Sequence, residues 1–388
     1  MYYYTFPTIE TLDDVIPHIE DWKEFKVIEK DWYIVVNYAV AFEETFSFVK
    51  SRSLYNMAIR RECRGLIFDS KTRKLISRPY SKFFNVGERE ETKEEIINWA
   101  LPHVILEKLD GSMIRPIPTP EGFRLATKAG ITDVAMNAEY FIADKPEYSS
   151  FIAAMFDGGM TPIFEWCSRK NRIVIDYPED KLILTGIRNT VKGNYLPDYN
   201  MVELGLNYDI PVVKSIARCE TYDENVIDAI RMWDDGEGVV IRFDNGHMVK
   251  VKADEYILRH RSKEQINSEK NIIQVILNDS VDDMIPLLTP EDAQRLKDFQ
   301  HKFWGAVDEV SSDLTKIFEG GDKMYPDKKE FAVEFVNKML LPMHRPFMFG
   351  MKQGKECKQL LTDSIEKSLS SQTKLNDSRW MFGGLSWN

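Results

Sequence analysis

The sequence predicts an α+β fold that gives way to an all-α tail, and the change of hydrophobic period along the chain carries that reading. Up to about Tyr256 the chain runs as short β-like stretches broken by turn residues: DWYIVVNYAV, RGLIFD, KLISRPY, HVILEKL, FRLATK, TPIFEW, KLILTGI, EGVVIRF and HMVKVK. From Ser262 the period becomes helical, with Ala293, Leu296, Phe299, Phe303, Trp304, Val307, Val310, Leu314 and Ile317 three or four apart. With 388 residues, 43% of them hydrophobic, the chain can bury two cores. The expected domains are residues 1–258 and 259–388.

Thr289 followed by Pro290 is an N-cap and first-turn pair, so a long amphipathic helix starts there, and Gly320 and Gly321 are expected to end it. Two further helices are predicted, Asp327 to Leu341, stopped by Pro342, and Lys352 to Leu369. The last residues, DSRWMFGGLSWN, are too aromatic for a solvated tail and show no clear pattern.

Several classes are excluded. The longest apolar stretch, Tyr33 to Phe42, is interrupted by Asn37 and is about half the ~20 residues of a membrane span. The start, MYYYTFPTIETLDD, lacks a basic beginning, apolar middle and small-residue cleavage site, so a cytoplasmic location is expected. Cys63, Cys167, Cys219 and Cys357 form no C-x-x-C pair, which fits reduced thiols without a structural metal. The net charge of -11 repels a polyanion, so any nucleic acid or nucleotide needs a local basic site. No phosphate-binding G-x-x-x-x-G-K-[ST] loop, G-x-G-x-x-G or H-E-x-x-H string is present.

Four constellations could carry chemistry. In Glu107-Lys108-Leu109-Asp110-Gly111-Ser112 a lysine ends the apolar run HVIL before an Asp-Gly turn. With a pKa of ~10.4 only about one lysine in a few thousand is a free amine at neutral pH, so a nucleophile there needs cations or a metal nearby. Alone, such a string is more commonly a solvated hairpin. Next, VVIRF, Asn245-Gly246 and HMVKVK predict a hairpin with a two-residue type I′ turn. It would pair Ile241 with Lys250 and Val239 with Lys252, gathering Glu237, Lys250 and Lys252 on one face. A solvated face gives only a salt bridge worth about 0–1 kcal/mol, whereas a pocket there suits a phosphate. The third group is Arg64, Arg78, Lys82, Phe83 and Phe84, where arginine forks and a lysine could hold a polyphosphate or line an ordinary hairpin. Lys128, before an Ala-Gly turn, is a strand-end cation of the same kind. Finally, alternation in Ile163-Phe164-Glu165-Trp166 sets Glu165 opposite Phe164 and Trp166, where a buried carboxylate needs a cation, metal or hydroxyl. Asn171, Arg172 and Arg188 follow, suited to RNA phosphates or to neutralising acids.

In sequence order, ECRG, SKFFN, EKLDGS, TKAG, FEW with NRIV, GIRN, EG and KVK resemble the ordered motifs of the covalent nucleotidyltransferases, and most closely the ATP-dependent RNA ligase 1 family of T-even-like bacteriophages. The likeness is densest over residues 60–256, weaker over 1–55, and continues into the tail at ILNDSVDDM and DKKEFAVEF. It implies an N-terminal adenylation domain of antiparallel sheets with flanking helices and a helical C-terminal domain associated with broken tRNA. It also implies Lys108 as the nucleophile that becomes lysyl-AMP. Arg64, Lys82, Phe84 and Lys128 would surround the β- and γ-phosphates, and Lys250 and Lys252 the α-phosphate. Lys250 would also lower the Lys108 pKa by like-charge proximity. The Glu107 backbone would read adenine, Gly111 would admit the nucleotide, and Glu165 and Glu237 would contact ribose or a divalent ion.

The implied partners are ATP, Mg2+ with Mn2+ as a substitute, and RNA, with the protein a monomer that repairs tRNA in the cytoplasm of an infected host. Asp282, beside Asp283, would be a further metal contact, although solvated loop acids explain that pair as well. Asn171, Arg172 and Arg188 would meet RNA. Trp166 stands where the family more often has Phe or Tyr. Two alternatives stay open: a catalytically silent RNA-binding module, and a DNA ligase or capping guanylyltransferase. The latter usually carry a β-barrel domain after the KVK motif, where this chain has helices.

Overall fold

A computed structural model describes residues 6–42, 44–47, 54–220 and 225–387. Contacts group the chain into two units, Met1–Ile257 and Leu258–Asn388. The first contains strands β1 (Phe25–Glu29), β2 (Tyr33–Tyr38), β3 (Arg64–Asp69), β4 (Leu75–Ser77), β5 (Phe84–Asn85), β6 (His103–Glu107) and β7 (Ser112–Thr119), then β8 (Gly122–Ala126), β9 (Met160–Cys167), β10 (Lys181–Asn189), β11 (Ser215–Cys219), β12 (Gly238–Phe243) and β13 (Met248–Lys252). They form three sheets, β1-β2-β3-β4, β10-β9-β7-β8 and β11-β6-β12-β13-β5. The pairings are antiparallel except β13 with β5. The α+β architecture with a helical second unit follows, and no helix of the described residues is long and apolar enough to cross a membrane.

Alternation along the third sheet divides its residues between two cores. Ile105, Val239, Ile241, Val249 and Val251 pack on Ile97, Trp99, Ile227 and Ile230. On the opposite face Val104 and Leu106 join Ile114, Phe164, Trp166 and Leu184 of the second sheet, closed by helices Asp133–Ile142 and Pro146–Asp157. A cleft lies where this second interface opens.

The hairpin differs from its expected register by one residue. Phe243 N donates to His247 O, leaving a three-residue loop, and Val240 pairs with Lys250 while Gly238 pairs with Lys252. A type I′ turn needs positive φ at both central residues, but only Gly246, at φ +88, enters that region and Asn245 does not. Val240, Arg242, Met248 and Lys250 therefore share a face. Glu237 reaches that face because the next residue, Gly238, has φ +132 and breaks the alternation; a Cβ there would lie 2.1 Å from Val251 O.

The second unit is built on helix Pro290–Met324, capped by Thr289 Oγ1, which accepts from Asp292 N at 3.1 Å. Gly320 and Gly321 do not end it: the helix continues through them, and Gly321 is a packing position whose Cβ would meet the Phe335 ring at 2.0 Å. The predicted helix from Asp327 runs from Lys328 to Met339 with a π-helical turn at Phe331–Val336; the one expected over Lys352 to Leu369 spans Cys357–Ser368, and an unpredicted helix, Arg345–Lys352, precedes it. The aromatic end packs inside: Met381, Phe382 and Trp387 are buried in this core, and Arg379 grips Glu269 at 2.6 and 2.8 Å.

Candidate active site

Lys108 leaves β6 with its backbone N bonded to Gly238 O, at the mouth of a cleft of about 240 Å³. Its walls come from all three sheets, including Arg64, Phe83, Leu106, Lys108, Met113, Glu165, Val240, Arg242, Met248 and Lys250. The Lys108 string is no solvated hairpin. Asp110 is 3% exposed and accepts from Val174 N and Ile175 N at 2.7 Å and from Tyr256 OH at 2.7 Å, locking the turn to two distant segments. Gly111 lines the cleft and is also required by packing, since a Cβ would lie 2.4 Å from Trp166 O. The Glu107 N–H already donates to Lys214 O, so a base edge would have to meet another atom of that residue.

One carboxylate bridges two lysines. Glu237, 4% exposed, lies 2.6 Å from Lys108 Nζ and 3.0 Å from Lys252 Nζ. Lys250 lies on the same sheet face; burial, together with Lys82, Lys108 and Lys252, pushes its ammonium down to about 7. Glu165 projects from β9 into the cleft, where desolvation, with Glu237 and Asp110 adding and Lys108 and Arg64 opposing, raises its carboxyl to about 7.

A second group of cations surrounds a residue that the sequence did not mark. Lys82 and Lys128 stand 5.4 and 5.3 Å from the Tyr38 ring. Burial works to raise the Tyr38 phenol, but Lys82, Arg64 and Lys128, with a hydrogen bond from Arg64, hold it below its ordinary value. The only signal in the sequence was an aromatic at the end of YIVVNY. Of the phenylalanine pair, Phe83 lines the cleft, 5.9 Å from Lys250 Nζ, whereas Phe84 is 1% exposed in the first sheet's core. Phe84 meets the site's cations through Lys82, whose Nζ lies 5.3 Å from its ring.

Arg188 does not meet a ligand. It is fully buried, bonded to Glu62 at 2.6 and 2.7 Å and to the carbonyls of Pro79 and Gly193, while Arg78 reaches the same carboxylate at 3.0 Å. Both arginines are internal struts, and the RNA contact expected of Arg188 is withdrawn. Asn171 accepts from Trp166 Nε1, and Arg172 donates to Val174 O beside it. Asp282 and Asp283 are exposed in the short helix Val281–Met284 of the second unit. Among the described residues no group of three or more His, Cys, Asp or Glu is placed to hold a metal ion.

The candidate site is thus a cation-lined cleft between antiparallel sheets, with a lysine at a strand end. Residues 62–258 match the sequence profile of the RNA ligase family, and the chain belongs to that family. A protein of Thermovibrio ammonificans provisionally named an RNA ligase is 27% identical over 343 residues, covering 84% of this chain and 86% of its own. The RNA ligase of Rhodothermus phage RM378 is 24% identical over 394 residues, covering 82% and 88%. An archaeal ATP-dependent RNA ligase of known structure aligns over 65% of this chain and 64% of its own, at 15% identity and a TM-score of 0.44.

Proposed function

We propose that this protein is an ATP-dependent RNA ligase that uses Lys108 as its nucleophile. The observation that carries the reading is the Glu237 carboxylate held between Lys108 and Lys252, with a buried Lys250 beside them. Positive charge exceeds negative there, and a triphosphate supplies the missing anion. Lys108 Nζ attacks the α-phosphorus, the N–P bond forms and pyrophosphate leaves. An oxygen of an RNA 5′-phosphate then displaces Lys108 from AMP. Last, an RNA 3′-hydroxyl attacks the activated 5′-phosphorus, a phosphodiester forms and AMP leaves. Each step is an in-line displacement whose catalysis is positioning and charge neutralisation.

Glu237 must release Lys108 before attack, and Lys252 keeps the carboxylate company. Lys250 and Lys252 would neutralise the α-phosphate, while Arg64, Lys82 and Lys128, around Tyr38, would hold the β- and γ-phosphates. Mg2+ or Mn2+ takes phosphate oxygens, waters and one or two carboxylates rather than an all-protein cage, and Glu165 and Glu237 fit that limited share. Such an ion supplies Lewis-acid charge to the phosphates. Asp282 in the second unit is a candidate for a further metal contact. Asn171 and Arg172 would approach RNA, and residues 259–388 would recognise a broken tRNA.

The test is incubation of 5′-phosphorylated, 3′-hydroxyl RNA, and of tRNA cut in its anticodon loop, with ATP and Mg2+. Joined RNA and released AMP are expected, both lost in Lys108→Ala. RNA binding without joining would establish the silent module instead, and joining of DNA nicks alone would establish a DNA ligase.

A further inference from the structure

Arg242 interrupts the apolar run VVIRF of β12, and it is 5% exposed. Its Nη1 and Nη2 are both buried, and neither has a hydrogen-bond partner among the described residues. A buried guanidinium left unpaired is costly to fold around. Two other buried arginines of this unit, unlike Arg61 and Arg115, whose Nε atoms have no hydrogen-bond partner among the described residues, show one way the fold saturates a structural guanidinium. Arg78 and Arg188 share the Glu62 carboxylate and fill their remaining positions with backbone carbonyls. Arg242 has no such arrangement, and it lines the cleft.

Its place in the sheet says what it faces. Along β12, Gly238 lies beside Lys252, Val240 beside Lys250 and Arg242 beside Met248. Arg242 is thus two residues, about 7 Å, beyond the lysine end of the cleft. If Lys108, Lys250 and Lys252 hold the phosphates, the base extends toward Arg242. The intervening walls are Leu106, Val213, Val240 and Met248, apolar surfaces suited to the faces of an aromatic ring. Adenine carries ring-nitrogen acceptors on the two edges that flank its 6-amino group, N1 on one and N7 on the other.

We propose that Arg242 is a base-recognition residue, donating from its terminal nitrogens to N1 or N7 of the adenine of ATP. The inference rests on the ATP-dependent reading of the same cleft and names the group that holds the base. It also accounts for the unpaired nitrogens, which the nucleotide satisfies.

The experiment measures the covalent adenylate on the full chain by intact mass, with Mg2+ and with ATP, 1-deaza-ATP or 7-deaza-ATP, for wild type, Arg242→Met and Arg242→Lys. In Arg242→Met the ATP concentration for half-maximal adduct should rise about ten- to a hundredfold, the range of a hydrogen bond to a charged group. Wild type should need a similarly higher concentration of one of the two analogues, and Arg242→Met should not distinguish that analogue from ATP. Arg242→Lys, which keeps the charge but loses the fork, should fall between. The ligand-free Tm of Arg242→Met should be unchanged or higher, because no hydrogen bond of its terminal nitrogens among the described residues is lost. The inference is overturned if Arg242→Met needs no more ATP than wild type, if both proteins discriminate against the analogues equally, or if the free protein loses Tm in step with its adduct. Absence of any adduct on wild type would overturn the ATP reading itself, an outcome separate from those three.

Discussion

Two regions of the first unit place a glutamate between two basic side chains, and they have opposite characters. Glu62, with Arg78 and Arg188, is sealed: the three side chains are at most 1% exposed, and carbonyls occupy the arginines' other positions. Burial works against the Glu62 carboxylate, but Arg188 and Arg78 hold its pKa below the ordinary value. Glu237, with Lys108 and Lys252, sits at a cleft where Lys108 is 21% and Lys252 27% exposed, and Lys250 adds charge. Saturated charge in the interior fixes the fold; excess charge at an opening awaits a ligand. The same residue types serve both ends, so composition cannot separate them, whereas partner counts and access can.

The largest expected effect breaks the sealed triad. Glu62→Gln leaves two buried guanidiniums without their carboxylate and should lower unfolding free energy by about 3–5 kcal/mol in urea titrations. Glu237→Gln should cost less stability yet reduce the rate of adenylate formation by about 10²–10³-fold, a loss visible in single-turnover kinetics. A variant pair with the effects reversed would collapse the distinction.

Glu165 gives a smaller effect with a definite sign. Its folded pKa of about 7 exceeds the ordinary carboxyl value, so its contribution is full below the unfolded pKa and is lost as pH rises through 7. Glu165→Gln should therefore stabilise the free protein by about 1–3 kcal/mol at pH 8, with the gain gone at pH 4, as thermal melts would reveal. Smallest is a proton count. Lys250, near 7 in the free protein, should take up a fraction of a proton when a triphosphate relieves the repulsion around it, so ATP affinity falls as pH rises through 7. Calorimetry at pH 7.5 in two buffers of different ionisation heat measures this uptake, and Lys250→Met should remove the Lys250 share, leaving only what Glu165 contributes.

Much of the site was legible because its parts are local strings. Lys108 at a strand end and Glu165 opposite Phe164 and Trp166 needed only period and turn chemistry. The rest depended on distant partners. Nothing near GIRN shows that Arg188 closes on Glu62, 126 residues away. The hairpin register turned on a single backbone preference, Asn245 staying out of the left-handed region. Gly321 read as a helix end because Phe335, which fills the space beside it, lies on another helix. Arg242 reads in the sequence only as part of a hairpin strand, because its unpaired nitrogens emerge only in three dimensions.

The central claim is that excess cations at the cleft mouth serve a lysine that becomes covalently adenylylated. The most direct test is incubation with ATP labelled at the α-phosphate, Mg2+ and either wild type or Lys108→Ala, followed by a denaturing gel. Label on wild type that is absent from Lys108→Ala is the predicted result. Label retained by Lys108→Ala, or none on wild type at any magnesium concentration, would contradict it.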